Sequence, residues 1–181
     1  MRSGLEAVER LMKSGKIKGV YGPIIDLMQN YDDFHEFFKA VETTAGNRLF
    51  YVVVRDDNVG AQLLETLHAT NSGRVTVMPL NRLRLQDIAY PESNDTFPMI
   101  DRLQFDEKFR PAFQQIFGKT LICRDIHLAA QFSRKHNFDT ITLDGDQINS
   151  KGAIRGGWID SRRSRLRTRF MMQVMSVAFR D

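Results

Sequence analysis

The chain has 181 residues, of which 42% are hydrophobic and 27% are charged, a composition that is ordinary for a globular protein of one domain or two small lobes. No apolar run of roughly eighteen residues occurs, which excludes a membrane-spanning helix. The single cysteine, Cys123, excludes an internal disulfide and is typical of a reducing compartment. Its neighbours are those of a buried strand, so we interpret it as a core residue.

Positive charge is concentrated towards the C-terminal end. Residues 151–169 carry a formal charge of +6, whereas residues 1–150 sum to −2. A basic patch of this kind can attract a phosphate backbone. It can equally be the solvated face of a helix, and the residues by themselves leave both interpretations open.

The first part of the chain predicts two helices separated by an extended segment. The apolar residues of 1–14 follow a 3–4 spacing, which predicts a helix. Residues 16–23 contain glycines and predict a short extended segment. The acidic pair Asp32-Asp33 is expected to cap a helix over residues 34–46 with an aromatic face.

The next segment predicts a strand, a helix and a second strand. Residues 48–54 are β-branched, aromatic and apolar on both faces, which predicts a central strand. A helix is expected to open at Asp56. The leucines predicted to face the core from this helix are Leu63, Leu64 and Leu67. Residues 75–80 predict a strand, and Pro79 favours its end or an edge position.

The second half of the chain predicts an irregular segment, a helix and then a new lobe. Residues 84–101 contain prolines and polar turn residues, which disfavour long regular elements. Residues 106–117 predict a helix with a buried stripe of phenylalanines. After Gly118 the predicted elements are a strand at 120–123, a helix at 125–136 and a strand at 140–143.

A glycine-rich segment at 143–160 follows and is expected to return as a further strand. Glycine weakens a strand unless another backbone approaches closely. The segment therefore predicts either a surface for backbone contact or a hairpin with a loose glycine turn, and both remain open at this point.

Catalytic and metal motifs are weak. Gly118-Lys119-Thr120 resembles the end of a phosphate loop, but Phe113 occupies the position of its first glycine and the segment joins a helix to a strand. The four histidines lack the spacing of metal ligands. A small nucleotide-dependent α/β enzyme remains the alternative to a non-catalytic domain.

Five blocks of sequence carry a resemblance to a known family. They are residues 42–51, 89–95, 117–124, 142–147 and 152–157, in this order. Together they resemble the hinge domain of SMC (structural maintenance of chromosomes) proteins, and most closely the branch that supplies the third SMC subunit of cohesin. The resemblance covers residues 17–165.

The resemblance implies a mixed α/β (α+β) fold of two small lobes, each with a sheet flanked by helices, and coiled-coil stubs at both ends. The expected divisions are 1–16 for the first stub, 17–117 for lobe 1, 118–165 for lobe 2, and 166–181 for the returning coiled coil or a disordered tail. The chain is expected to be an isolated hinge fragment or a truncated gene model.

The resemblance also implies a function. Hinges of the family are non-catalytic dimerisation domains, and in cohesin the partner is the hinge of the first SMC subunit. The dimer closes a ring that entraps DNA for sister chromatid cohesion and chromosome segregation, on chromosomes in the nucleus. Weak DNA binding and a weak homodimer are further expectations, and no membrane contact is expected. No cofactor is expected in this stretch, because ATP binds at the heads of the full-length proteins.

Site residues are carried over from the family pattern. The dimer interface is expected to include Gly19, Gly22, Gly152, Gly156 and Gly157. A side chain at Gly156 or Gly157 is expected to clash with the partner. Lys151 stands where many bacterial hinges have another glycine, and Trp158 is expected to fill core rather than to cover the interface rim. The residues expected to contact DNA are Lys16, Lys18, Arg162, Arg163, Arg165 and Arg167.

Overall fold

The computed structural model describes residues 2–178. Its helices are α1 (Arg2–Ser14), α2 (Ile24–Leu27), α3 (Phe38–Ala45), α4 (Asp57–Ala69), α5 (Arg110–Phe117), α6 (Ile126–His136) and α7 (Arg165–Ala178). Its strands are β1 (Val20–Pro23), β2 (Val52–Val54), β3 (Val77–Pro79), β4 (Thr96–Pro98), β5 (Thr120–Cys123), β6 (Asp139–Thr142), β7 (Gln147–Ile148) and β8 (Ile154–Arg155). Within the described residues, no helix has the length and apolar character that crossing a membrane requires.

The described residues form two compact units, each assembled from separate segments. The first unit contains residues 2–28, 47–86 and 105–115, and the second contains the remaining segments up to residue 178. This differs from the expected division after residue 117, because β4 lies before that boundary but pairs with β5 in the second unit.

The first unit has a three-stranded sheet in the order β1-β2-β3. Strand β2 runs antiparallel to β1 and parallel to β3, and all three of its valines are buried, which confirms a central strand. The strand is shorter than expected. Residues 46–50 form a 3-10 helix, in which the Tyr51 N–H donates to the Arg48 carbonyl at 3.1 Å, so pairing begins only at Val52.

Helices α1 and α4 contribute the core of the first unit. Val8 of α1 and Leu63 and Leu67 of α4 form one cluster with two valines of β2, Val52 and Val54. The Asp56 side chain caps α4 by accepting a hydrogen bond from the Val59 N–H at 2.8 Å. The expected inward position of Leu64 is wrong: its side chain is 45% exposed. One residue along a helix is a rotation of about 100°, which turns Leu64 away when Leu63 faces the core.

The second unit has a five-stranded sheet in the order β4-β5-β6-β7-β8. Strands β5 and β6 are parallel, and the other neighbours are antiparallel. Residues 84–101 were expected to be mostly irregular, and residues 84–95 are, but the end of the segment supplies the three-residue strand β4, whose Phe97 pairs with Ile122. Local composition could not show this, since the strand is defined by a partner that lies further along the chain.

Helix α6 packs against this sheet. The Asp125 side chain caps the helix by accepting from the Leu128 N–H at 2.9 Å. The Ala129 side chain of α6 is fully buried beside Leu121 and Cys123 of β5. Burial raises the pKa of the Cys123 thiol to about 12, so this cysteine stays protonated and its interpretation as a core residue is confirmed.

Helices α3 and α7 are joined by an aromatic cluster and a carboxylate. The ring of Phe38 on α3 lies 5.8 Å from that of Phe170 on α7. The Glu42 carboxylate on α3 accepts from the Ser164 hydroxyl at 2.6 Å and from the Leu166 N–H at 2.9 Å, which fixes the start of α7. Helix α7 continues to Ala178, and the last three residues of the expected tail lie outside the described residues.

The expected cap of the helix after Asp33 is wrong. Asp33 has a left-handed backbone, with φ of +66°, and its side chain makes no capping hydrogen bond. The segment begins instead as a 3-10 turn at Phe34, whose fully buried ring stacks with Tyr31. Aromatic packing therefore holds this helix start in place of a cap.

The orientation of α4 gives a prediction for stability. Replacing Leu63 with alanine is expected to lower the free energy of unfolding by about 2–5 kcal/mol, because it leaves a cavity in the core. The matched variant Leu64→Ala is expected to change it by less than about 0.5 kcal/mol. Urea denaturation of the chain measures both. Equal losses for the two variants would contradict the structure.

Candidate functional site

The two sheets have four edge strands among the described residues, namely β1, β3, β4 and β8. An edge strand presents unpaired N–H and C=O groups to which another strand can be added. Strands β1, β3 and β4 each end in a proline, which has no N–H to donate. Strand β8 has only two residues but contains no proline, so it is the described edge on which every residue carries both a backbone donor and a backbone acceptor.

Strand β8 is presented by a tight hairpin. Ile154 pairs with Ile148, and Arg155 pairs with Gln147. The turn between β7 and β8 is held by Asn149, whose side-chain oxygen accepts from the Lys151 N–H at 3.1 Å and the Ala153 N–H at 2.9 Å. The loose glycine turn considered from the sequence is therefore a hydrogen-bonded hairpin.

The three glycines around β8 are required for different reasons. Gly152 and Gly157 have φ of +95° and +120°, a backbone region in which a side chain is strained. A Cβ at either position would meet no atom within 4 Å in this chain. Gly156 has no such φ, but a Cβ there would collide with the carboxylate of Asp146, whose Cγ would lie 3.0 Å away.

Asp146 is the residue that the sequence analysis missed. Its side-chain oxygen accepts from the Gly157 N–H at 3.0 Å, so it fastens the segment after β8 to the turn after β6. Its own N–H donates to the Thr142 hydroxyl at 3.2 Å. In the sequence, Asp146 simply follows Gly145 in a predicted turn. Only the fold shows that the Asp146 carboxylate occupies the space beside Gly156.

The two glycines near the N-terminus lie in the first unit. Gly19 and Gly22 have φ of +92° and +114°, and a bulge interrupts the pairing of β1 with β2 between Val20 and Gly22. A Cβ on Gly19 would lie 3.2 Å from atoms of Arg55 and Val59. Both glycines therefore shape the β1 edge, while the other three shape the β8 edge in the second unit.

The segment around β8 exposes large apolar side chains. Ile154 is 70% exposed and Trp158 is 85% exposed. The expectation that Trp158 fills core is wrong. Ile159 is itself 37% exposed, but the end of its side chain reaches Gly145, where a Cβ would be only 2.6 Å from its Cδ1. Trp158 is the more exposed of the two neighbours.

The basic residues expected to bind DNA are exposed in both units. Lys16 and Lys18 flank the buried Ile17 in the first unit. In the second unit, the 3-10 turn at Ser161–Arg163 carries two of the arginines, and α7 carries Arg165 and Arg167.

These arginines are not equivalent. Arg162 donates from Nε and Nη2 to the Asp160 carboxylate at 2.9 and 3.1 Å. This contact raises the pKa of the Arg162 guanidinium and lowers the pKa of the Asp160 carboxyl. The charge of Arg162 is thus partly neutralised within the chain. Arg165 donates to the Gly46 carbonyl at 3.4 Å.

The geometry describes an association module: a small α+β fold with a prepared strand edge and exposed apolar side chains beside it. A family model described as the SMC proteins flexible hinge domain matches residues 17–133. The chain belongs to the SMC protein family, and the matched region is its hinge. A hinge of this family is a dimerisation domain and not a catalytic one.

Curated relatives are similar over nearly the whole chain. A Cryptococcus neoformans protein named urease accessory protein 2 is 46% identical over 92% of this chain. Structural maintenance of chromosomes protein 3 of Arabidopsis thaliana is 42% identical over 97%. Chromosome segregation protein sudA of Emericella nidulans is 43% identical over 90%. The chain spans only 13–14% of the length of these relatives.

Solved structures share the fold. The structure described as the folded elbow of cohesin superposes with a TM-score of 0.75 at 27% identity, over 98% of this chain and 27% of that one. The asymmetric dimer of the Geobacillus stearothermophilus SMC hinge domain superposes with a TM-score of 0.77 at 22% identity, over 96% of this chain and 72% of that one. The expected two-sheet α+β fold is confirmed.

The contact between Asp146 and the glycine segment gives a second prediction. Gly156→Ala is expected to displace the Asp146 carboxylate from the Gly157 N–H. Loss of one hydrogen bond should accelerate amide exchange at residues 154–158 about five- to tenfold. Asp146→Ala should have the same effect, and the double variant should add little, because both changes remove one contact. Hydrogen exchange measured by mass spectrometry tests this.

The exposed Asp144 provides the control for this prediction, since it lies two residues from Asp146. Asp144→Ala is expected to leave the exchange of residues 154–158 unchanged. If the double variant accelerates exchange by the product of the two single-variant factors, Gly156 and Asp146 act separately, contrary to the geometry.

Proposed function

We propose that this chain is the hinge of the third SMC subunit of a cohesin complex, and that it pairs with the hinge of the first SMC subunit. The pairing closes a ring that entraps DNA for sister chromatid cohesion and chromosome segregation in the nucleus. The names of the Arabidopsis and Emericella relatives and the likeness to the cohesin elbow support this proposal. The hinge needs no cofactor for this role, and ATP binds at heads that lie outside it.

The proline-free edge at β8 is the observation that carries the proposal. Strand addition gains affinity from backbone hydrogen bonds and specificity from the side chains beside them. Gly152 and Gly157 leave open space at the two ends of β8, where a partner backbone can approach. The exposed side chain of Ile154 supplies apolar area on the same strand.

Strand β1 is the candidate for a second contact. It is the edge of the sheet in the first unit, and the resemblance to the family assigns one interface to each lobe. Its bulge between Val20 and Gly22 and its terminal Pro23 limit the length of a ladder there. Strand β8 is only two residues long, and we assign it the part of the backbone pairing that no proline interrupts.

Mixing this chain with the hinge of the first SMC subunit tests the proposal. Light scattering at micromolar concentration is expected to give the mass of a one-to-one heterodimer. Ile154→Glu should weaken the complex at least about tenfold, because the interface would bury an unpaired carboxylate. Absence of any heterodimer at this concentration would contradict the proposal. If the only complex has the mass of two copies of this chain, the chain self-associates and the proposed partner is wrong.

The matched control for Ile154 is Leu85. Its side chain is 58% exposed in a loop of the first unit that belongs to no strand. Leu85→Glu introduces the same charge in place of a similar apolar side chain. It is expected to leave the affinity for the partner within about threefold, since it belongs to neither of the two edge strands.

A second function, DNA binding, is favoured by the arginines of residues 162–169. Five arginines occur there, and α7 carries no acidic residue in its first turn. Contacts of this kind bind phosphates and carry no sequence information. Because Asp160 already holds Arg162, we assign the larger contribution to Arg163 and Arg167, which are both exposed.

Salt dependence of DNA affinity tests this second function. Each phosphate contact contributes about −0.9 to the slope of log affinity against log salt for duplex DNA. Arg163→Gln combined with Arg167→Gln should therefore flatten the slope by about 2, as measured by fluorescence anisotropy with a short duplex. The control is Arg134→Gln with Lys135→Gln, two exposed positions on α6. Equal losses for both pairs would indicate a general charge effect and no DNA site.

A further inference from the structure

Trp158 is the largest exposed apolar side chain of the described residues, and it is the only tryptophan in the chain. Its side chain is 85% exposed, three residues after the end of β8. Exposed tryptophan is costly for a protein that remains alone, since the indole ring has one of the largest apolar surfaces of any side chain. Large exposed apolar surface beside an interface commonly marks a contact.

The backbone on both sides of Trp158 is held in place. On one side, the Gly157 N–H donates to Asp146 at 3.0 Å. On the other, Ile159 packs over Gly145, and the Asp160 carboxylate accepts from the Arg162 N–H at 3.0 Å. Trp158 therefore extends from a fixed backbone and not from a loose loop. A side chain presented in this way loses little conformational entropy on binding.

The position of Trp158 next to β8 indicates that its partner is a second hinge. The residue continues the chain directly from β8, the edge at which the proposed function places a second hinge. Ile154 on that edge is 70% exposed, so the segment offers two large apolar side chains together with a backbone edge. Tryptophan is enriched among the few residues that carry most of the affinity of a protein interface.

We propose that Trp158 is the anchor residue of the β8 interface, and that its indole ring inserts into an apolar pocket beside the edge strand of the partner hinge. The inference rests on the proposed function and adds the residue that carries most of the affinity. The pocket must supply apolar walls for the ring and an acceptor for the indole N–H, because a buried indole donor needs a partner.

An exposed tryptophan near arginines can also stack on the bases of a nucleic acid. The neighbours of Trp158 favour a protein partner. Ile159 is apolar, and the guanidinium of Arg162 is held by Asp160. Single-stranded DNA is therefore an outcome that the experiment must separate from hinge binding.

Fluorescence of the single tryptophan tests the inference. In this chain Trp158 is replaced biosynthetically by 5-hydroxytryptophan, which can be excited selectively when the partner hinge contains tryptophan. Titration with the hinge of the first SMC subunit is expected to shift the emission to shorter wavelength and to protect it from acrylamide quenching. Titration with an oligothymidylate is expected to leave the emission unchanged.

Affinities of variants complete the test. Trp158→Ala is expected to raise the dissociation constant at least about thirtyfold, which is the level that defines a dominant interface residue. Trp158→Phe should lose less affinity than Trp158→Ala, because it keeps an aromatic ring but leaves the acceptor of the indole N–H unpaired, and Leu85→Ala should change the affinity less than threefold. Because the Trp158 side chain is exposed, Trp158→Ala should leave the urea midpoint of the chain unchanged, so that lost affinity is not lost folding.

The outcomes separate the two proposals. Failure to form any complex, seen by light scattering, would overturn the proposed function and the anchor together. A complex that forms with unchanged emission, or with Trp158→Ala within threefold of the parent chain, would overturn the anchor alone. Emission that responds to the oligothymidylate and not to the hinge would assign Trp158 to nucleic acid and would also overturn it.

Discussion

The unpaired backbone edge of β8 is the constraint on which the other features of the second unit depend. The sheet order places β8 outermost, with β7 as its described neighbour. Exposed edges are aggregation hazards, and proteins usually blunt them with prolines or charges. The other three described edges end in proline, whereas β8 is limited to two residues, carries the charge of Arg155 and is framed by glycines. Its backbone is free of proline and its Ile154 side chain is 70% exposed, so a partner that covers this edge gains both backbone and apolar contact.

The supporting contacts make that edge rigid. Asn149 closes the hairpin, and Asp146 fastens Gly157 from the opposite side. Each glycine has a role within this chain: Gly152 and Gly157 permit backbone angles that a side chain would strain, and Gly156 leaves room for a carboxylate. The fold of this chain by itself thus requires glycine at these three positions. The open space at Gly152 and Gly157 is available to a partner backbone. Pre-organisation of this kind lowers the entropic cost of association.

Much of the fold could be predicted from sequence, because its signals are local. Asp56 and Asp125 are residues that commonly cap helix N-termini, and each predicts the start of a helix. In the structure, each side chain accepts a hydrogen bond from the N–H three residues later. Pro79 predicts the end of an edge strand, and β3 ends there. The phenylalanines of α5 predict a buried stripe, of which Phe113 is fully buried. The blocks of family sequence pointed to the hinge, and the family match confirms them.

The sequence-based predictions that were wrong or incomplete have a common physical cause, since each of these features depends on contacts that local composition does not show. Strand β4 exists through pairing with β5, which local composition does not reveal. Asp33 resembles a cap, but Phe34 packing sets the helix start. Trp158 was expected in the core, but it is 85% exposed, whereas the side chain of the next residue, Ile159, reaches Gly145. The role of Asp146 likewise required the fold.

Residue-resolved amide exchange of this chain, alone and with the hinge of the first SMC subunit, tests the central claim most directly. If β8 is the edge at which a partner strand is added, the β8 amide that points away from β7 gains strong protection in the complex, since successive strand residues direct their N–H groups to opposite sides. The amides of β3 and β4, whose edges end in proline, keep their exchange rates. A complex that leaves β8 as exchangeable as in the free chain would contradict the account, wherever else the protection appeared.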